Sequence, residues 1–258
     1  MHILITGAAT GIGESIVDYW FSKNPNDTFS ILDKDENQLK LTTDRMTSTG
    51  IKVKGYPLDL TKLEEFESVL TKVKADNGEV DVLINNAGVM IIEDFSVMSW
   101  EKGMLMLTLD MIAPMKLIKL LLPSMLSRKT GGIINIASMA GKTPLPGSTW
   151  YAGAKAGFGM ASEVLAGEVK DEGLHVLTVY PGPVSTALEK GARAGYDENV
   201  IMKMMPVGDR AIMAEKIVEG FFNKQIVVAY PEIYDLARIF PPLTDNFVRY
   251  FAPKTKKE

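Results

Sequence analysis

The stretch "WYAGAKAG" (150–157) sets Tyr151 four positions ahead of Lys155. On a helix that spacing stacks the phenol and the ammonium on one face. A phenol titrates near 10 and a neighbouring ammonium favours its phenolate, so such a pair is suited to proton exchange near neutral pH. Spacing alone does not single it out, because Tyr19 with Lys23 and Tyr250 with Lys254 repeat it. Company does: Ser138, thirteen residues before Tyr151, closes the apolar run "GIINIA" and brings a hydroxyl to the same end of the strands. Tyr19 and Lys23 fall on a first helix that runs away from that end. Pro253 interrupts any helix between Tyr250 and Lys254.

The residue inventory narrows the chemistry further. There is no cysteine, which excludes thiolate catalysis, Cys-rich zinc sites and disulfide frameworks. No Gly-x-Ser-x-Gly elbow occurs, so an acyl hydrolase of that kind is excluded too. Of the two histidines, His2 and His175, the latter opens "HVLTVY" and reads as a structural residue at a strand start. No metal site is expected, and the chemistry falls to hydroxyls, carboxylates, lysines or a cofactor. With 258 residues, 46% of them apolar and 23% charged, the chain can bury a sizeable core as one soluble domain. A net charge of −4 offers nucleic acid no general attraction. Lys254, Lys256 and Lys257 read as a solvated tail. With no basic leader and no apolar run of about 20 residues, a cytoplasmic protein is expected, and the lack of cysteine fits a reducing compartment.

The elements that must position these residues alternate along the chain. Short β-branched runs, "HILIT" (2–6), "TFSIL" (28–32), "IKVKGY" (51–56), "DVLIN" (81–85), "GIINIA" (132–137), "HVLTVY" (175–180) and "QIVVAY" (225–230), are separated by stretches with helical apolar spacing such as "KLEEFESVLTKVK" (62–74). The pattern predicts an α/β fold, a doubly wound parallel sheet of about seven strands with helices on both faces. In such folds ligands sit beyond the carboxyl ends of the strands. Gly7, Gly11 and Gly13 follow the first strand and open a helix, where bare backbone admits a pyrophosphate; a plain strand-to-helix turn would use the same residues. Asp33, at the end of the second strand, is placed to accept both hydroxyls of an adenosine ribose and to repel a 2′-phosphate, or alternatively to cap the next helix.

Taken together, "TGAATGIG" (6–13), "NNAG" (85–88), Ser138 in "NIASMAG", "YAGAK" (151–155) and "PGPVST" (181–186) resemble the short-chain dehydrogenase/reductase family, in its order and near its spacing. The resemblance covers roughly residues 1 to 230 and implies a Rossmann-type, NAD(P)-dependent oxidoreductase that moves a hydride between nicotinamide and a carbonyl or secondary alcohol. It assigns Gly7, Gly11, Ile12 and Gly13 to the phosphates, and Asp59 with Leu60 to the adenine. It lines the cofactor cleft with Asn86, Ala87 and Gly88, and puts Pro181, Gly182, Val184 and Thr186 at the nicotinamide. Ser138 would hydrogen-bond the substrate oxygen and Tyr151 would exchange the proton. Lys155 would bind the nicotinamide ribose and draw the phenol down. Asp33, with Thr10 where many NADP-using relatives carry a basic residue, predicts NAD(H) in preference to NADP(H), with Lys34 as a partial offset. The family's usual asparagine on the long helix after the fourth strand is missing: Asp110 takes its place when the chain is aligned on "APMKLIKLLLPSM" (113–125), whereas counting from Trp100 lands near Leu107.

Residues 186–209, with Met202, Met204, Met205 and Val207, are expected to form an apolar substrate pocket or simply to pack the core. Residues 231–258 form an extension of the catalytic unit 1–230 that covers the cleft, packs at a subunit interface or rests on a membrane surface. The resemblance implies a homodimer or homotetramer built through the long helices near 100–127 and 151–171. A second reading keeps the fold without turnover, as a dinucleotide-binding regulatory or scaffold protein.

Overall fold

A computed structural model of the protein describes residues 1–197, 205–240, 246, 248, 250 and 252–256. The expected βα alternation is present. The strands are β1 (His2–Thr6), β2 (Thr28–Asp33), β3 (Lys52–Pro57), β4 (Val82–Asn85), β5 (Gly131–Ile136), β6 (Leu174–Pro181) and β7 (Val227–Tyr230). The helices between them are α1 (Gly11–Lys23), α2 (Glu36–Ser48), α3 (Phe66–Asn77), α4 (Trp100–Leu107), α5 (Ala113–Arg128), α6 (Thr149–Val169), α7 (Ala187–Ala194) and α8 (Arg210–Phe222); α9 (Asp235–Ile239) follows β7. All seven strands form one parallel sheet in the order β3-β2-β1-β4-β5-β6-β7.

Successive strand side chains point to opposite faces, so a sheet buried on both sides needs unbroken apolar runs rather than alternation. Ile3 and Ile5 enter one core with Ile16, Trp20, Ile217 and Phe221 of α1 and α8, while Leu4 enters the other with Phe66, Leu117 and Phe158 of α3, α5 and α6. On α5 the buried Ala113, Leu117, Leu121 and Met125 recur every four residues, one stripe of the helix. Each leucine or methionine of the stripe contributes about 1.5–3 kcal/mol when fully buried. The β3 edge is guarded by exposed Lys52 and Lys54, which discourage pairing with another sheet.

The chain leaves β1 for β2 and β3 on one side and returns to β4 on the other, so the strand order reverses between β1 and β4. A crevice opens at the carboxyl ends of those two strands, the usual ligand position in this architecture. Among the described residues no helix is long and apolar enough to cross a membrane.

Candidate active site

Gly7 and Asn86 meet in that crevice. Gly7 and Gly11 have left-handed φ values of 65° and 69°, which glycine adopts without strain. A Cβ on Gly13 would lie 2.6 Å from Asn86 Nδ2 and 2.7 Å from the Gly7 carbonyl, so the turn closes only around glycine. Asn86 Nδ2 donates to the carbonyls of Thr6 and Gly7, both at 2.9 Å, and the amides of Asn86 and Ala87 donate to Thr6 Oγ1 at 3.0 Å. These bonds lock the glycine turn to the end of β4. At the N-terminus of α1, Thr10 gives no side-chain cap, which leaves the first-turn amides around Ile12 directed outward. Gly11 has open space on its Cα, the nearest atom to an added Cβ being Thr186 Cγ2 at 3.9 Å. Bare amides at the positive end of a helix, with room in front of them, fit a pyrophosphate.

Asp33 ends β2 and accepts from the amides of Ala9 and Asp35, each at 3.2 Å. The alternative role as a helix cap belongs to Asp35, whose carboxylate accepts from Gln38 N at 2.9 Å. Asp59 Oδ1 accepts from the Thr61 amide and hydroxyl, and those bonds hold its carboxyl below the usual range; Leu60 beside it is buried. Beyond β6, the Gly182 amide donates to Tyr230 O, and a Cβ there would strike the Tyr234 ring at 2.6 Å. Val184 is buried and bridges Gly208, and Thr186 caps α7 by accepting from Glu189 N. Pro181 closes β6 at the same sheet edge.

Ser138 follows β5, and Tyr151 and Lys155 lie on the buried face of α6. Lys155 Nζ donates to the Ile136 carbonyl at 2.9 Å and lies 6.0 Å from the centre of the Tyr151 ring. Sequence reasoning expects this ammonium to draw the phenol down. In the chain alone the direction is reversed: burial first, then the Asp110 charge, push Tyr151 up, and only the Ser138 hydrogen bond opposes them. The charge that adds to burial is that of Asp110. Its Oδ1 lies 3.2 Å from Lys155 Nζ and accepts from Val89 N at 3.2 Å, while its Oδ2 is buried without a hydrogen-bond partner. Both charged groups are buried, Asp110 at 0% exposure. Desolvation outweighs the ammonium and raises the Asp110 carboxyl to about 6. Gly88 makes room for it, since a Cβ there would sit 2.5 Å from Asp110 Oδ1.

Asp110 reaches this position from a π-helical turn, Thr108–Ile112, between α4 and α5. Of the two positions that the sequence offered, Asp110 is the one that meets Lys155, while Leu107 ends α4. The other two tyrosine–lysine pairs lie elsewhere. Tyr19 donates to Glu219 on the outside of α1 and α8, and Tyr250 is 83% exposed.

A supporting set escaped the sequence reading. Asn85 and Asn135 are register partners on β4 and β5; Asn85 Nδ2 donates to Asn135 Oδ1, Asn135 Nδ2 donates to Ser162 Oγ, and Ser162 shares a 2.6 Å hydrogen bond with Thr178. This buried polar chain pins α6, and with it Tyr151 and Lys155, to three strands. The signal was present as a polar residue inside each of two apolar runs, "VLINN" and "IINIA". His175 is far from the site, at the amino end of β6 against Phe221. Met202 and Met204 lie outside the described residues, whereas Met205 is half-buried and Val207 exposed. No cluster of metal-ligating side chains is found among the described residues.

A family model described as short chain dehydrogenase matches residues 1–197. The chain belongs to that family. It is 33% identical over 201 residues to the 3-oxoacyl-[acyl-carrier-protein] reductase FabG of Haemophilus influenzae, covering 76% of this chain and 81% of the relative. It is 27% identical to the ketoacyl reductase HetN of Nostoc sp., over 96% of this chain and 88% of HetN. A crystal structure of a short-chain dehydrogenase from Streptomyces avermitilis superposes with a TM-score of 0.81 at 27% identity, covering 96% of this chain and 94% of that one. The protein is accordingly an NAD(P)-dependent oxidoreductase acting on CH–OH or C=O groups.

Proposed function

We propose that the protein transfers a hydride between NAD(H), in preference to NADP(H), and an apolar carbonyl compound or its secondary alcohol, with Ser138, Tyr151 and Lys155 as the catalytic set. The observation that carries the reading is the meeting of Ser138, Tyr151 and Lys155 at the same sheet edge as the uncapped start of α1. The bound nicotinamide supplies the hydride. Ser138 Oγ donates a hydrogen bond to the carbonyl oxygen and stabilises charge as it develops there. Tyr151 gives its phenolic proton to the resulting alkoxide, and Lys155 holds the nicotinamide ribose and favours the phenolate left behind. Asp110 and the Ile136 carbonyl hold the ammonium of Lys155. The carboxylate of Asp33 disfavours a 2′-phosphate.

An apolar substrate is supported by Met90, Ile91 and Ala140, which pack in one cluster with Tyr151. It also accords with the ketoacyl groups named for FabG and HetN. Exposed Ile112, Met115, Met160 and Val164 on the π turn, α5 and α6 support a homodimer or homotetramer through those faces. We place the enzyme in the cytoplasm on its cysteine-free sequence. A dinucleotide-binding protein without turnover is the second reading, favoured by the Asp110 charge against Lys155. A panel of apolar ketones and 3-oxoacyl thioesters with NADH and with NADPH separates the two. Turnover with NADH above NADPH is expected, and cofactor binding with no turnover of any member overturns the enzymatic reading.

A further inference from the structure

Segment 252–256 runs back across the carboxyl edge of the sheet, where it touches three separate loops. The Asp197 amide donates to the Lys254 carbonyl at 2.9 Å and the Lys256 amide to the Gly195 carbonyl at 3.0 Å, so Thr255 pairs with Tyr196 as an antiparallel bridge. That ties the segment to the stretch after β6 and α7. Thr255 Oγ1 donates to Asp94 Oδ1 at 2.7 Å, in the loop after β4. Its methyl lies so near Gly147, in the loop after β5, that a Cβ on that glycine would come within 2.4 Å. The three loops also hold one another: Tyr196 donates to the Pro146 carbonyl at 2.8 Å and the Glu93 amide to the Gly147 carbonyl at 3.0 Å.

These loops follow the strands whose ends carry Gly88, Ser138 and Pro181, and in this architecture such loops form the rim of the ligand crevice. The nucleotide half of the site, from Gly7 to Asp33, lies toward β1 and β2 and makes none of these contacts. We propose that segment 252–256, with Thr255 at its centre, is a strap that pins the three rim loops together and so sets the width of the substrate side of the cleft. Thr255 and Lys256 are then specificity-determining residues that touch no cofactor. The assignment of the rim to a carbonyl substrate rests on the proposed function; the pinning does not.

The test compares the full chain with Thr255→Val, Lys256→Pro and the double substitution. Valine removes the hydroxyl bonded to Asp94, and proline removes the amide bonded to Gly195. Lys256 is exposed and Thr255 half-buried, so both changes spare the core. Amide exchange at Asp197, whose N–H donates to Lys254, is expected to quicken by about tenfold in the double variant. In the carbonyl panel, KM is expected to rise about fivefold and the preference between small and bulky members to narrow, while the NADH Kd stays within about twofold. Unchanged protection at Asp197 overturns the strap. Faster exchange with unaltered KM and size ranking overturns its role in specificity. If the full chain reduces no carbonyl, the enzymatic reading fails, and the strap stands or falls on the exchange rates alone.

Discussion

Asp110→Asn should move the alkaline limb of alcohol oxidation to lower pH. In the oxidative direction the phenolate of Tyr151 takes the alcohol proton, so activity rises as the phenol ionises. The Asp110 oxygen lies 3.2 Å from Lys155 Nζ, which is 6.0 Å from the Tyr151 ring centre, so the carboxylate is within about 9 Å of the ring. At an effective dielectric of about 20, a unit charge there disfavours the phenolate by about 1.8 kcal/mol, a little over one pKa unit. At the alkaline pH of the assay the carboxyl is ionised, since burial raises it only to about 6. Asparagine keeps an oxygen for Val89 N and Lys155 Nζ but carries no charge, so kcat at the plateau should fall by less than about tenfold. The assay is initial-rate oxidation of a secondary alcohol across the alkaline range for both proteins. A shift of about one unit to lower pH is expected. Superimposable profiles, or a shift to higher pH, would refute the claim that Asp110 offsets the ammonium.

Tyr151→Phe should lower turnover by at least about a hundredfold with NADH affinity retained, whereas Lys155→Ala should damage both, as steady-state rates and cofactor titration will tell. Asp33→Ala should narrow the gap between NADH and NADPH dissociation constants; an unchanged ratio would remove Asp33 as the discriminator. Gly13→Ala places a methyl 2.6 Å from Asn86 Nδ2 and should weaken NADH binding by about tenfold or more, measured by titration of a protein whose fold is checked by circular dichroism. His2 is held neutral, its Nδ1 donating to Gly78 O and its Nε2 accepting from Ser30, and burial lowers its pKa below 6.5. The folded state therefore binds fewer protons than the unfolded one, so this stability is present above pH 6.5 and is lost as pH falls below it. Urea midpoints for the wild type and His2→Gln should converge on acidification, and parallel pH dependences would refute this.

The fold was legible because burial on both faces leaves a plain trace, continuous runs such as "ILIT" and "VLIN" separated by amphipathic stretches. All seven strands fall within two residues of the runs read from sequence, the largest difference being the start of β7 at Val227 rather than Gln225. Ser138 was legible through its place after β5, and Tyr151 with Lys155 through their i, i+4 spacing on the helix that follows it. What sequence did not give was the electrostatics of the pair. An i, i+4 spacing says that phenol and ammonium are neighbours, but burial of the phenol, joined by a carboxylate from a π turn 45 residues before Lys155, reverses the shift. The strap was illegible for a related reason: the pairing of Thr255 with Asp94 joins residues 161 positions apart, with no periodic signal to announce it.

The central claim, that Tyr151 completes a nicotinamide hydride transfer at this site, is tested most directly with NADH carrying deuterium at both positions of the nicotinamide C4. The ketone of the panel that is reduced fastest should yield an alcohol carrying the deuterium on its carbinol carbon. Tyr151→Phe, with unchanged NADH binding, should form that labelled product at least about a hundredfold more slowly. An alcohol without the label, or labelled product formed by Tyr151→Phe within about tenfold of the wild-type rate, would contradict the account.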